Sequence, residues 1–148
     1  MSAKFAENRK AYFNYEILEK ITAGIQLLGI EVKAVRAGRM TLDGAYAVIR
    51  GGEAFLIGST IVSLQPKNTP KDYDERRNRK LLLTKKELEY LAGKEKLGLT
   101  IVALSVYNMG HKIKVELGLA KGKKKSDKRE SIKKRESDRE IDRTLKNS

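Results

Sequence analysis

Residues 99–120 read LTIVALSVYNMGHKIKVELGLA, and their reading decides the fold. Two runs rich in β-branched and aliphatic residues flank the turn-like NMGH. In the second run Ile113, Val115, Leu117 and Leu119 alternate with Lys112, Lys114 and Glu116. Period-two alternation puts the first set on one face of a strand and the charges on the other. This is a long antiparallel hairpin with one apolar face.

Working outward, AYAVIRGGEAFLIG (residues 45–58) gives a second hairpin, turning at Gly51–Gly52, where both residues can take positive φ. YFNYEILEKITAGIQLLG (12–29) reads as extended chain, and STIVSL (59–64) can add a strand. QPKNTPKDYDER (65–76) holds both prolines and is a loop. Two helices interrupt the strands. Residues 30–37 place Val32 and Val35, and Lys33 and Arg36, at helical spacing, ahead of Gly38. In LTKKELEYLAG (83–93), Thr84 and Glu87 form a capping box, Leu88, Leu91 and Ala92 an apolar stripe, and Gly93 the stop. The aromatics Tyr12, Tyr15, Tyr46, Phe55 and Tyr107 are assigned mostly to the core. About six short strands with small helices outside point to a mainly β, OB-like antiparallel barrel over residues 1–120. An open α+β sandwich is the alternative.

The chain has 148 residues and a net charge of +13. From Lys121 on, twelve Lys/Arg against six Asp/Glu leave +6 on the tail and +7 on what precedes it. Two basic parts point to a polyanion, nucleic acid before membrane. No apolar run approaches the roughly 18 residues of a spanning helix, and no signal-peptide or lipidation motif is present. With no cysteine and a lone His111 in a turn, neither thiolate metal sites nor a catalytic histidine is expected. GKKKS lacks the glycines of a Walker loop.

The tail, residues 121–148, has only Ile132, Ile141 and Leu145 as sizeable apolar side chains. That is too few to offset an ordering cost of roughly 1–2 kcal/mol per residue. Yet Glu130 precedes Lys134 by four, as Asp142 precedes Lys146, which favours a helix formed on a partner. A solvated basic tail that never orders is the other reading. Three basic groups mark the chain: Lys33 and Arg36 beside Glu31, then RRNRKLLL (76–83), then KGKKK (121–125). Glu31 could accept from a base amine or ribose hydroxyl while the cations meet phosphates, or it could simply pair with Lys33 or favour a helix N-terminus. RRNRKLLL could equally be a solvated loop entering a core element. Few aromatics favour recognition of a folded RNA by shape and phosphate over stacking platforms.

ENRKAYFNYEILE, AGIQLLGIEVKAVRAG, RNRKLLL with KKELEYL, and GLAKGKKKSDKRESIKKRE, in that order along nearly the whole chain, resemble the SmpB family of tmRNA partners. The resemblance implies an OB-like barrel that binds the tRNA-like domain of tmRNA. It also implies a tail, unfolded alone, that becomes helical in the empty mRNA channel and decoding region of stalled ribosomes, against 16S rRNA. It assigns RNA contacts to Glu31, Val32, Lys33, Arg36, Arg79, Lys80 and Leu81; Lys112 and Lys114 of the hairpin are counted with them. Tail contacts fall at Gly122, Lys123, Lys124, Asp127, Lys128 and Arg129. Further along they fall at Lys133, Lys134, Arg135, Arg139, Ile141, Arg143 and Leu145. Ala34 replaces a usual Ser, Thr84 a common His, Ile141 a frequent aromatic, and Thr144 is more polar than usual. The expectation is a monomeric, cytoplasmic adaptor of trans-translation, neither membrane-bound nor an enzyme, with no cofactor or metal. A constitutive ribosomal or assembly protein, and an RNA-processing enzyme, are the competing classes.

Overall fold

The computed structural model describes residues 4–65, 67 and 69–123. In chain order the elements are β1 (Lys4–Glu7), α1 (Arg9–Asn14), β2 (Tyr15–Ile25), α2 (Gly29–Arg36), β3 (Met40–Thr41), β4 (Tyr46–Arg50) and β5 (Glu53–Ile57). They continue with β6 (Thr60–Ile61), β7 (Arg79–Leu82), α3 (Lys85–Lys96), β8 (Thr100–Met109) and β9 (Lys112–Gly122). Strands β8, β4, β5, β7, β2 and β9 follow one another in an antiparallel sheet, and β9 pairs back onto β8. The sheet is therefore a closed six-stranded barrel with helices outside, as the hairpins imply, and not an open sandwich.

Closure removes the edges that a sheet of this size would otherwise expose. β4 meets only Ile101 and Val102 of β8, and β1 pairs along the next stretch, Ser105 to Tyr107. A two-residue β3–β6 ladder lies apart from the barrel sheet. Both are too short to show an alternation in sequence.

Two bulges shape the wall. Leu104 is the extra residue where Ala103 pairs with Leu117 and Ser105 with Glu116; Leu18 is the extra residue between Ile17 and Glu19. A bulge switches which parity faces inward. Thus Ile101, Ala103 and Val106 all join the main core, while Val102 and Leu104 turn outward beneath α1 with Ala11, Ala120, Tyr15 and Ile17. That is why Ile101–Val106 is buried throughout instead of alternating.

Three local expectations change. Tyr12–Asn14 is helical, because Asn8 caps α1: its Oδ1 accepts from Ala11 N at 3.2 Å and its Nδ2 donates to Ala103 O at 2.9 Å. α3 runs past Gly93 to Lys96. The left-handed residue beyond its end is Gly98, φ +89°, with Gly98 N and Leu99 N donating to Glu95 O and Lys94 O. The core is aliphatic: Tyr12 and Tyr46 are exposed, and Tyr15, Phe55 and Tyr107 only half-buried.

Candidate nucleic-acid interface

α2 begins where Leu28 N donates to Glu31 Oε1 at 2.9 Å, half of a capping box made by the helix's own carboxylate. It ends at Arg36, and Gly38, φ +79°, takes the left-handed position just past the end, as the sequence implies. Its buried face is Glu31, Ala34 and Val35. Val32 is only half-buried, so the Val32–Val35 pair expected to form the apolar face is split, and a carboxylate occupies part of that face.

Glu31 survives burial because its oxygens are saturated. Arg79 Nε donates to Oε2 at 2.7 Å, Arg77 Nε to the same oxygen at 3.2 Å, and Tyr73 Oη lies 3.1 Å from it. Arg77 Nη2 also bonds Oε1. Arg79 in turn donates to Ser59 Oγ at 3.1 Å, Arg77 O at 3.1 Å and Glu75 O at 3.0 Å. Burial pushes the Glu31 carboxyl up, but the bonds from Arg77, Leu28 and Arg79, with the charge of Arg79, outweigh it and hold the group below its ordinary value. Burial, and then the neighbouring Glu31 charge, raises Tyr73. The cluster fastens the connection after β6 to α2; a network with every member satisfied fixes one arrangement.

This corrects three sequence-derived contacts. Glu31 and Arg79 have no exposed surface and Leu81 is 2% exposed, so none of them meets an RNA directly. β7 turns Arg79 and Leu81 inward and Lys80 and Leu82 outward. Neither earlier alternative for Glu31 is complete: its partners are Arg77 and Arg79 rather than Lys33, and it does cap the helix start.

Of the remaining candidates, Val32, Arg36, Lys112 and Lys114 come together around one groove. A groove of about 320 Å³ runs between α2, β2, β7 and the β8–β9 turn. Val32, Ile25, Leu27, Leu82 and Ile113 give it apolar lining, and Arg36, His111, Lys112 and Lys114 supply polar and charged groups. Arg36 Nη2 donates to His111 O at 3.0 Å, tying the helix to the hairpin turn. Lys33, exposed, lies on the other side of α2, in a smaller groove with Ile30 and Ser63–Gln65. Among the described residues, Lys33, Arg36, Lys112 and Lys114 have no carboxylate partner within ion-pair distance, whereas Lys80 pairs with Glu53 at 3.0 Å and Lys20 with Glu116 at 3.7 Å. Uncompensated cations around a concave surface create a local positive field.

Gly122 is the last residue of β9, opposite Tyr15, and Lys123 N donates to Asn14 O at 3.0 Å. The barrel therefore extends two residues past 120. Lys124, Asp127, Lys128, Arg129, Lys133, Lys134, Arg135, Arg139, Ile141, Arg143 and Leu145 lie outside the described residues. Among the described residues there is no cluster of three potential metal ligands, and no helix long and apolar enough to cross a membrane.

The sequence profile of the SmpB protein family matches residues 5–147. The chain belongs to the SmpB family. The SsrA-binding protein of Magnetococcus marinus is 51% identical over 143 residues, covering 95% of this chain and 94% of that protein. Those of Gloeothece citriformis and Polaromonas are 48% and 47% identical, covering 91% and 97% of their own lengths and 95% and 97% of this chain. A chain from a solved structure described as "tmRNA-SmpB: a journey to the center of the bacterial ribosome" superposes with a TM-score of 0.65 at 45% identity. The match covers 85% of this chain and 92% of that one.

Within this SmpB-family fold, sequence reasoning missed the groove's apolar lining, Ile25, Leu27, Leu82 and Ile113, and the clamp residues Tyr73 and Arg77. Leu27 and Leu82 carried no signal, since an apolar residue in a strand-rich chain reads as core. Arg77 stood in a marked basic block, but only the fold shows that it points at Glu31.

Proposed function

We propose that this chain is a tmRNA-binding adaptor of trans-translation, holding the tRNA-like domain of tmRNA at the α2 groove and bringing it to stalled ribosomes. The observation that carries it is a group of four cations, Lys33, Arg36, Lys112 and Lys114, that come from two distant segments to the grooves flanking α2 and have no carboxylate partner among the described residues. Such cations take up phosphates by counterion release. The match to SsrA-binding proteins over nearly the full length names the RNA.

Strand direction supplies the second half. Lys114, at the groove, pairs with Gly24, while Gly122 pairs with Tyr15 at the opposite end of the same two strands. At about 3.3 Å per residue, the groove and the start of the tail are roughly 30 Å apart. One RNA can occupy the groove while the tail meets a second, the ribosomal decoding region, in a cytoplasmic complex. No step of this activity needs catalysis by the protein.

The test is a titration of the labelled tRNA-like fragment with the full chain and with residues 1–123, at two salt concentrations, beside an elongator tRNA. Tight binding that prefers tmRNA and survives truncation places recognition on the barrel. Collapse on truncation, or equal binding of both RNAs, overturns the reading.

A further inference from the structure

We propose that the cleft between α1, β4 and the start of β8 is a pocket for one unpaired nucleobase, separate from the α2 groove. The cleft has a volume of about 210 Å³ and is lined by Lys10, Asn14, Tyr15, Tyr46 and Thr100, with Asn8 and Ala45 among its inner residues. It is smaller than the roughly 300–1,000 Å³ of pockets for larger ligands, and suits one planar ring system. The side-chain types fit that ligand: tyrosines can stack on a base, an Asn amide and a Thr hydroxyl can read its edge, and a lysine can meet the adjoining phosphate. Lys10 Nζ reaches Asp43 only at 4.0 Å, with most of its side chain in solvent, and Tyr46 is 40% exposed.

The cleft is built into the fold. Asn8 N donates to Leu104 O at 2.8 Å and the Asn8 side chain bonds Ala103 O, which anchors α1 across β8. Position suggests the source of the base. Lys123 N bonds Asn14 O, so the chain passes into its tail beside the cleft, at the barrel end away from the groove. The RNA that the tail meets is therefore the nearer source, and tmRNA the other; this assignment rests on the function proposed above, whereas the ligand chemistry does not.

The experiment measures binding of the full chain to isolated small ribosomal subunits and to the tRNA-like fragment of tmRNA, for wild type, Tyr46→Ala, Tyr46→Phe and Lys10→Ala. Loss of one stacked base weakens binding about tenfold. Tyr46→Ala is expected to show that loss with subunits and with their protein-free RNA, while Tyr46→Phe stays within about twofold of wild type. A tenfold loss on the tmRNA fragment instead keeps the base pocket and changes its source. Lys10→Ala lowers the salt dependence by about one ion, and decides the matter if Tyr46→Ala does not fold. Unchanged binding of Tyr46→Ala to both probes overturns the proposal. So does a Tyr46→Phe defect equal to that of Tyr46→Ala, or a loss with subunits that is absent with their protein-free RNA. Failure of wild type to bind the tmRNA fragment would refute the proposed function, leaving the pocket to be judged on subunits.

Discussion

Arg79 and Glu31, 48 positions apart in the chain, form an ion pair in which both side chains are fully buried, 2.6 Å at its shortest. The pair joins β7 to α2, and with Arg77 it surrounds one carboxylate with two guanidinium groups. The helix that carries Lys33 and Arg36 is thereby locked against the barrel.

Removing the carboxylate leaves two guanidinium groups, one of them wholly buried, without their counter-charge. Breaking a buried pair in this way costs about 3–5 kcal/mol. Glu31→Ala is expected to lose stability of that order in urea unfolding. Glu31→Gln should lose less, because its amide oxygen still accepts from Arg79.

The same carboxyl sets an acid response. Its value lies below the ordinary 4.5 in the folded chain, so its contribution is fully present above 4.5 and lost as pH falls through the lower, folded value. Melting temperature from this group should be level between pH 7 and 5 and decline below 4.5. A Glu31→Gln variant followed over the same range should lack that part of the decline.

RNA binding separates contact from support. Lys33→Ala, Arg36→Ala and Lys112→Ala should each weaken binding of the tRNA-like fragment and lower the salt slope by about 0.9 if the phosphate lies in a duplex. Glu31→Gln should weaken binding with the slope unchanged, since its side chain is buried away from solvent. A lowered slope for Glu31→Gln would place that carboxylate's neighbours in the interface after all.

Gly118 tests the second core. A Cβ there would lie 2.8 Å from Leu104 Cδ1 and 3.2 Å from Ile17 Cγ2. Overpacking of this kind costs about 1–3 kcal/mol. Gly118→Ala should lower the unfolding free energy by that amount, and adding Leu104→Val should restore part of it.

Thr84 accepts from Glu87 N at 3.2 Å while Glu87 Oε1 accepts from Thr84 N at 2.9 Å. Thr84→Ala should cost about 1 kcal/mol in thermal or urea unfolding, with RNA affinity unchanged.

By itself the sequence determined the features that depend on local periodicity and charge. The 99–120 hairpin, the Gly51–Gly52 turn, the short helix ahead of Gly38 and the Thr84–Glu87 box are all present, because each rests on residues a few positions apart. The basic balance of body and tail was legible for the same reason: charge is carried by composition. Only the tertiary structure decided which charges face water. Glu31 and Arg79 look like surface groups in a list of residues, yet barrel closure brings β7 under α2, and their pairing, helped by the half-exposed Arg77, lets them be buried where isolated charges could not be. The bulges at Leu18 and Leu104 likewise escape any period-two reading, because each shifts the register by one residue against a partner strand roughly a hundred or a dozen positions away. The groove exists only once Val32 and Arg36 meet Lys112 and Lys114, a juxtaposition set by long-range strand pairing and by no local rule.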